Sequence, residues 1–362
     1  MICGPNWDWI SMSDQGWRVR FLPANVDIRC SSQQTILDAA REQGLSVRSA
    51  CRNGICDICK AEWVSGQLDF ESDRGQAVLE KENQVLCCHA KPLSDIEIVM
   101  SSVTAPDQIP PQTLAFQIHS VEAQSGDVYR VVLKAPAGKT LEFLPGQYLM
   151  LHVQGDNGEE IKLPYSIASA PGSWTGQDGR ELELHIADAS DMAHRVVELL
   201  RSEPVVTATL PMGDCFVSQQ QLKSDTPEAI VLIAAGTGFA QIKSLAEGIL
   251  AINPDQELHI YWSNREADGF YLGDLPFQWA HDHEHLHYHP IVEQHSEGWN
   301  GRAGWIYQVI GHDFNDLSHC LVYACGSPNM VYGTLDQLEP IGLSESNMRS
   351  DVFAYAPRPA KD

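Results

Sequence analysis

The chain has 362 residues and a formal net charge of −24, from 24 basic and 48 acidic side chains. Its length predicts two or three domains, and a hydrophobic fraction of 43% supplies their cores and excludes global disorder. The charge repels phosphate backbones and anionic headgroups, which excludes a nucleic-acid or membrane-surface role, and apolar runs such as Ala229 to Ala235 fall far short of the ~20 residues of a spanning helix.

The first fifteen residues lack the basic start and continuous apolar stretch of a secretory signal, so a cytoplasmic protein is expected. Met12 reads as an alternative start, and Trp7 and Trp9 read equally well as a cap on the first domain. Residues 16–100 then read as a compact unit. WRVRFLP and VDIRC are two strands of a hairpin turning at Ala24-Asn25. Ser31-Ser32 offers an N-cap to the helix TILDAAREQ, which Gly44 stops, and AEWVSG and DIEIVM close the unit. Residues 101–112, with three prolines and two serines, are the expected linker.

Residues 113–225 are β-rich: FQIHSVEA, VYRVVLKA, QYLMLHV, YSIAS, ELELHIA and VVTATL, interrupted by one helix, DMAHRVVELLR. Many short strands with a single helix predict an antiparallel barrel. Residues 226–357 alternate strand and helix: AIVLIAAG, a Gly-rich turn, the helix FAQIKSLAEGILA, then ELHIYWS, HYHPIVEQ and CLVYACG. That alternation predicts a parallel sheet. The fold class expected is thus multidomain α+β, ending in an α/β domain.

Five of the ten cysteines, Cys51, Cys56, Cys59, Cys87 and Cys88, fall within 38 residues. In a long chain without a secretory signal this clustering points to metal or redox chemistry rather than disulfides. The spacing C-x4-C-x2-C with a distant fourth cysteine is the plant-type [2Fe–2S] arrangement, in which each iron takes two thiolates and two bridging sulfides. A zinc site would usually pair two short knuckles, and only one is present. Gly54 permits the tight turn that lets amides approach the sulfides. Cys87 and Cys88 compete for the fourth position. The segment resembles plant-type ferredoxins, whose β-grasp fold is then expected here, and the resemblance favours Cys51, Cys56, Cys59 and Cys88 as ligands, with Cys87 a packed residue.

Pro145-Gly146-Gln147-Tyr148 precedes one strand and Pro164-Tyr165-Ser166 lies in another. Following a ferredoxin-like segment, these resemble the flavin barrel of the ferredoxin–NADP reductase superfamily. The resemblance implies that Tyr165 packs on the flavin ring and that the Ser166 hydroxyl approaches it. Two departures stand out: Leu163 replaces the arginine expected to bind the flavin phosphate, leaving Lys162 as the neighbouring cation, and Ala187-Asp188-Ala189-Ser190-Asp191 replaces a Gly-rich turn. FAD is the expected flavin, with FMN or a loosely held flavin as alternatives. The segment HIADASDMAHRVVELL and the later PMGDCFV look like the bacterial flavin reductases.

Gly236-Thr237-Gly238 lies between a buried strand and a helix, where free N–H groups can receive a pyrophosphate. Alone it reads equally as a plain turn. Cys325-Gly326-Ser327-Pro328-Asn329-Met330 resembles the superfamily's Cys-Gly-x-Pro-x-Met motif, which implies that Cys325 and Gly326, Pro328 and Met330 lie by the nicotinamide. Asp351 and Phe353 match its closing acidic-x-aromatic segment, whereas Gln241 stands where relatives usually carry proline. Asn264-Arg265-Glu266-Ala267-Asp268 offers one cation among two anions, which leans towards NADH. The acidity is greatest in this last segment and least in the first, so coenzyme binding must rest on helix-terminal amides, on Arg265 and on Arg302. Arg302 itself, between glycines, reads first as a turn residue.

The resemblance spans residues 16–357, in the order of phenol and methane monooxygenase reductases and CDP-6-deoxy-glucoseen reductases. It implies an enzyme: an NAD(P)H-dependent iron–sulfur flavoprotein reductase, expected to be a monomer, with Ser166 and Cys325 at the reaction centre. Its expected partner is an electron-accepting oxygenase, dehydratase or small carrier. Two alternatives are a reductase that releases reduced flavin and a non-catalytic redox sensor or electron-carrier scaffold. Finally, His281, His283, His285, His287 and His289 alternate through HDHEHLHYH. Such residues share one face of a strand and could take zinc or nickel, but the tract reads first as a polar loop entering a strand.

Overall fold

The computed structural model describes residues 16–22, 24–43, 45–47, 54, 59–70, 79, 81–100, 103–104, 109–155, 157–219, 222, 227–295 and 298–356. The choice between Met1 and Met12, the Gly44 helix stop and half of the 101–112 linker therefore lie outside the described residues. The chain divides into two compact units, Met1–Pro110 and Pro111–Asp362.

In the first unit, β1 (Trp17–Leu22) and β2 (Val26–Cys30) pair antiparallel, turning at Asn25, whose φ of 49° lies in the left-handed region that Asn tolerates. α1 (Ile36–Glu42) starts later than Ser31-Ser32 would place it. Thr35 is its N-cap, its hydroxyl accepting from the Asp38 N–H. The helix buries Ile36, Leu37, Ala39 and Ala40. β3 (Lys60–Ser65), β4 (Gln84–Leu86) and β5 (Ile96–Val99) complete a mixed sheet in the order β2-β1-β5-β3-β4, with β1 and β5 parallel. The alternation of Val19 and Phe21 with Ile96 and Ile98 turns fully buried side chains onto one face, under α1.

The second unit opens with an antiparallel sheet of β6 (Gln112–Ala123), β7 (Val128–Lys134), β8 (Tyr148–Gln154), β9 (Glu160–Ser166), β10 (Glu181–Ala187) and β11 (Val205–Met212), in the order β9-β8-β11-β6-β7-β10. Its outermost strands meet again. Ile167 bridges Leu184, and the Ala168 N–H donates to the Glu183 carbonyl at 2.7 Å. The sheet therefore curls into a half-barrel around Phe116, Leu149, Leu184 and Leu210. α2 (Asp191–Ser202), capped by the Ser190 hydroxyl, plugs it with Val196, Val197 and Leu200. β9 starts earlier than the expected YSIAS strand, because its pairing with β8 runs from Glu160 to Ser166.

A six-stranded parallel sheet follows: β12 (Ala229–Ala235), β13 (Leu258–Asn264), β14 (Leu286–Val292), β15 (Arg302–Ala303), β16 (Cys320–Cys325) and β17 (Met348–Arg349), ordered β15-β14-β13-β12-β16-β17. The central β12 is buried on both faces, which is why AIVLIAA reads as a continuous apolar run rather than an alternating one. Its flanking helices are α3 (Phe239–Ile252), α4 (Leu275–Asp282), α5 (Ile306–Asp313), α6 (Pro328–Leu338) and the short α7 (Val352–Tyr355). Among the described residues no helix is long and apolar enough to cross a membrane.

α3 joins the two sheets. The Gly146 N–H donates to the Ser244 hydroxyl at 3.2 Å, and that hydroxyl donates to the Ser169 carbonyl at 2.9 Å. Gly146 has a φ of +100°, and a Cβ there would lie 2.4 Å from the Cys215 carbonyl oxygen. Gly146→Ala should therefore destabilise the second unit by more than about 1 kcal/mol, since strain and backbone clash act together, a loss that urea unfolding followed by tryptophan fluorescence would measure.

Candidate functional site

Parallel strands that end beside one another leave a crevice at their carboxyl edges. Here β12 and β16 end against the half-barrel, around a cleft of about 1100 Å³. From the antiparallel sheet come Tyr148, Pro164, Tyr165 and Ser166. From the parallel sheet come Thr237, Gly238, Cys325 and Gly326, and from the C-terminal segment Asp351 and Phe353. A second cavity of about 820 Å³ adjoins it, lined by Gly236, Thr237, Arg265 and Met330 among others. Motifs far apart in sequence thus converge. Lys162 and Pro328 line neither cavity. Lys162 lies 3.8 Å from Glu160 on the exposed side of β9. Arg302 also stands apart: it lies in β15 rather than in the expected turn, and two guanidinium nitrogens hold the Asp313 carboxylate of α5.

The glycines keep backbone accessible. A Cβ on Gly238 would lie 2.2 Å from the Cys325 carbonyl oxygen, so the two loops touch through main chain alone. Gly236, at a φ of +54°, faces open space. The Gly236–Gly238 turn leads directly into α3, and this backbone suits an anionic dinucleotide. Tyr165 presents a largely buried ring whose phenol burial pushes up. An aromatic wall, a hydroxyl and an adjoining anion-accepting turn form a donor set that fits a flavin with a nicotinamide beside it.

Gln241 lies beneath the cleft and is buried. Its Nε2 donates to the carbonyls of Gly146 and Cys215 and to Asp351 Oδ2 at 2.8 Å, while its Oε1 accepts from the Cys325 thiol at 2.7 Å. Burial pushes the Cys325 thiol well above its ordinary range, so it is neutral at pH 7. Burial also raises the Asp351 carboxyl to about 6, against the opposing bond from Gln241.

Behind the half-barrel wall lies a charge network that no motif marks. Glu183 receives His185 Nε2 at 2.7 Å and Arg130 Nε at 2.8 Å, and Lys243 Nζ approaches it at 3.3 Å. Burial alone would raise the Glu183 carboxyl, but the His185 bond and the Lys243 charge outweigh it and hold the group at about 2. Burial pushes the His185 imidazole below its ordinary value, and its Nδ1 bonds the Tyr271 hydroxyl at 2.9 Å. Arg349, which also lines the cleft, is likewise outside every motif.

In the first unit Cys51 and Cys56 lie outside the described residues, while Cys59 and Cys88 are described and buried. The Cys87 N–H donates to the Cys59 carbonyl at 3.1 Å, which ties the two cysteine-bearing segments together. Cys87 Sγ lies 3.9 Å from Met100 Sδ in the core. Gly54 adopts a φ of +76°, and a Cβ there would lie 2.7 Å from the His89 ring, so this position suits glycine.

Residues 20–93 match the 2Fe-2S iron-sulfur cluster binding domain family, and residues 232–336 the oxidoreductase NAD-binding domain family. The chain is 30% identical over 340 residues to the CDP-6-deoxy-L-threo-D-glycero-4-hexulose-3-dehydrase reductase of Yersinia pseudotuberculosis, covering 92% of this chain and 98% of the relative. It is 28% identical to the reductase component 1 of the Comamonas terephthalate 1,2-dioxygenase, covering 92% and 96%. Among solved structures it resembles the Amycolatopsis cytochrome P450 reductase GcoB, with a TM-score of 0.61, 24% identity and coverage of 92% and 98%.

Asp351 generates a pH dependence with a definite sign. A carboxyl whose folded value is about 6, against 3.8 ordinarily, holds its proton longer when folded, so it favours the fold below about 4 and loses that contribution as pH rises through 6. Asp351→Asn should therefore raise the melting temperature at pH 7, by about 1–3 kcal/mol of stability, and change it little at pH 4, as calorimetry at the two pH values would read.

Proposed function

Because the chain belongs to the ferredoxin–NADP reductase superfamily, in the branch that joins a [2Fe–2S] ferredoxin domain to an NAD-binding oxidoreductase domain, we propose that it delivers electrons from NAD(P)H to a partner protein. It is an NAD(P)H-dependent iron–sulfur flavoprotein reductase. The observation that carries the arrangement is the single cleft in which the Tyr165-Ser166 strand end faces the Gly238 and Cys325 loops. A flavin bound there supplies the exchange between paired and single electrons that neither a nicotinamide nor a [2Fe–2S] cluster performs alone.

The residues divide the work. Tyr165 offers a flat apolar face to the flavin, and the Ser166 hydroxyl a hydrogen bond. The Gly236–Gly238 turn and Arg265 receive the phosphates of the coenzyme, and Met330 borders the same cavity. Cys325, neutral and fixed by Gln241, walls the nicotinamide site with Gly326, Pro328 lines neither cavity and only starts α6 after that loop, and Phe353 with Asp351 closes the far side. The first unit is read as a β-grasp ferredoxin domain, the half-barrel as the flavin domain and the parallel sheet as the nucleotide domain, with boundaries at 16–100, 113–225 and 226–357. Cys51, Cys56, Cys59 and Cys88 hold the cluster. The choice of Cys88 is supported by Cys87 turning its sulfur onto Met100.

The relatives serve a dehydrase and a dioxygenase by name, and the acceptor proposed here is a protein of that kind, a dehydratase or an oxygenase. The flavin is FAD, held loosely. Leu163 packs against the half-barrel core, and the 187–191 loop closes on itself, with Asp188 accepting from His194 Nδ1 at 3.0 Å and Ser190 capping α2. Arg349 is the only lysine or arginine among the described residues lining the cleft. The same features favour the second reading, release of reduced flavin. The sensor reading loses one of its two supports, because Gln241 is engaged in hydrogen bonds across the cleft rather than missing a role.

Cys88→Ser should abolish the cluster absorbance and NADH-driven reduction of cytochrome c while sparing reduction of ferricyanide. Cys87→Ser should keep the cluster, and the reverse pattern would reassign the ligand. Restoring the family arginine with Leu163→Arg should tighten flavin retention on a desalting column roughly tenfold, the worth of one charge-assisted bond. If wild-type protein already holds stoichiometric flavin there, the loose-binding reading fails.

A further inference from the structure

The parallel sheet places a second cluster of ligating side chains at its opposite edge. β13 and β14 pair in register from their first residues, Leu258 with Leu286, His259 with His287 and Tyr261 with His289. In a parallel pair the side chains of matched residues stand on the same face, so His259 and His287 lie side by side, their ring centroids 4.7 Å apart. Glu257, one residue before β13, reaches across both: its Oε1 lies 3.2 Å from His259 Nε2 and 2.8 Å from His287 Nε2. His285, just before β14, brings Nδ1 to 3.6 Å from the other carboxylate oxygen.

The donor atoms of Glu257, His259 and His287 all lie within 4.8 Å of one another. A first-row divalent ion binds nitrogen and oxygen at about 2.0–2.2 Å, so its ligands must converge to within roughly 4 Å; Glu257 Oε1 already stands that close to both imidazole nitrogens, and a small inward turn of the rings brings the rest. Two imidazoles and one carboxylate suit zinc, whereas magnesium and calcium want mostly oxygen. The rings are held before any ion arrives. His259 is stacked parallel to His289 at 5.8 Å and meets Phe314 edge-on at 4.8 Å. The ligating faces of Glu257 and His287 remain open to solvent, which gives an ion its path in. The sequence shows only the His281–His289 half of this. His281 belongs to α4 and joins no such group, and the residues that complete the cluster come from the neighbouring strand.

We propose that Glu257, His259 and His287, with His285 or water in the fourth position, form a zinc site that clamps β13 to β14. It lies at the amino ends of these strands, whereas the coenzyme cleft lies at the carboxyl ends of the sheet.

The test uses untagged holoprotein with its iron and sulfide intact. After brief chelation the protein is dialysed against zinc chloride, or against magnesium chloride as a control, and bound metal is counted by mass spectrometry. One zinc per chain is expected, and no magnesium. Glu257→Gln and His287→Ala should each weaken zinc at least about tenfold, since even an outer-shell change at a zinc site costs that much. Added zinc should raise the melting temperature of the wild type and not of the variants. Both altered side chains are solvent-accessible, and the urea-unfolding transition of the second unit, followed by tryptophan fluorescence, reports whether each variant is folded. Failure of wild-type protein to hold zinc, or equal zinc binding by both variants, overturns the proposal.

Discussion

The carboxamide of Gln241 is the point on which the cleft depends. One planar group bonds the carbonyls of Gly146, just before β8, and of Cys215, just after β11, a carboxylate from the C-terminal segment and the thiol at the end of β16. Each of those partners is buried or partly so, and a buried polar group left unpaired costs about 1–3 kcal/mol. Proline, the residue that relatives usually carry there, has no side-chain donor or acceptor. Three of the four residues bonded to Gln241, namely Cys215, Cys325 and Asp351, line the cleft, so that part of its wall follows from their common anchor.

Around that anchor the chain keeps two kinds of buried charge apart. Glu183 is surrounded by cations and stays ionised far below neutrality, where it holds the half-barrel to α3 through Lys243. Asp351 has an amide and no cation, and burial lifts it towards neutrality at the mouth of the cleft. The first arrangement fixes a joint. The second leaves a group whose charge changes near physiological pH on the wall of the cleft, and clefts are where perturbed carboxyls concentrate.

Much of this was legible in the sequence, for identifiable reasons. The short runs VYRVVLK and ELELHIA, bounded by turn residues, and the continuous apolar run AIVLIAA are local signals, and those strands lie where these signals put them. Thr35 displaced Ser31-Ser32 as the helix cap because any small hydroxyl residue suffices, and only the packing of Ile36 and Leu37 decides the register. The family motifs marked Tyr165, Ser166, Gly238 and Cys325, which share the cleft. Glu183, Lys243 and Arg349 could not be seen in this way, and of Gln241 only the departure from proline was visible, not its bonds. Gln241 reaches Gly146 and Asp351, and Lys243 reaches Glu183 and Ala168, dozens of positions away, and nothing in the neighbouring sequence signals those pairings. Glu257 and His259 were hidden likewise, since a histidine tract reveals its own spacing but not the strand laid beside it.

Ala235 and Thr237 belong to the walls of both cavities, and Gly236 and Gly238 face one each. This turn is a party wall between two rooms. A displacement of its backbone therefore reshapes both rooms at once, and neither can be altered there alone.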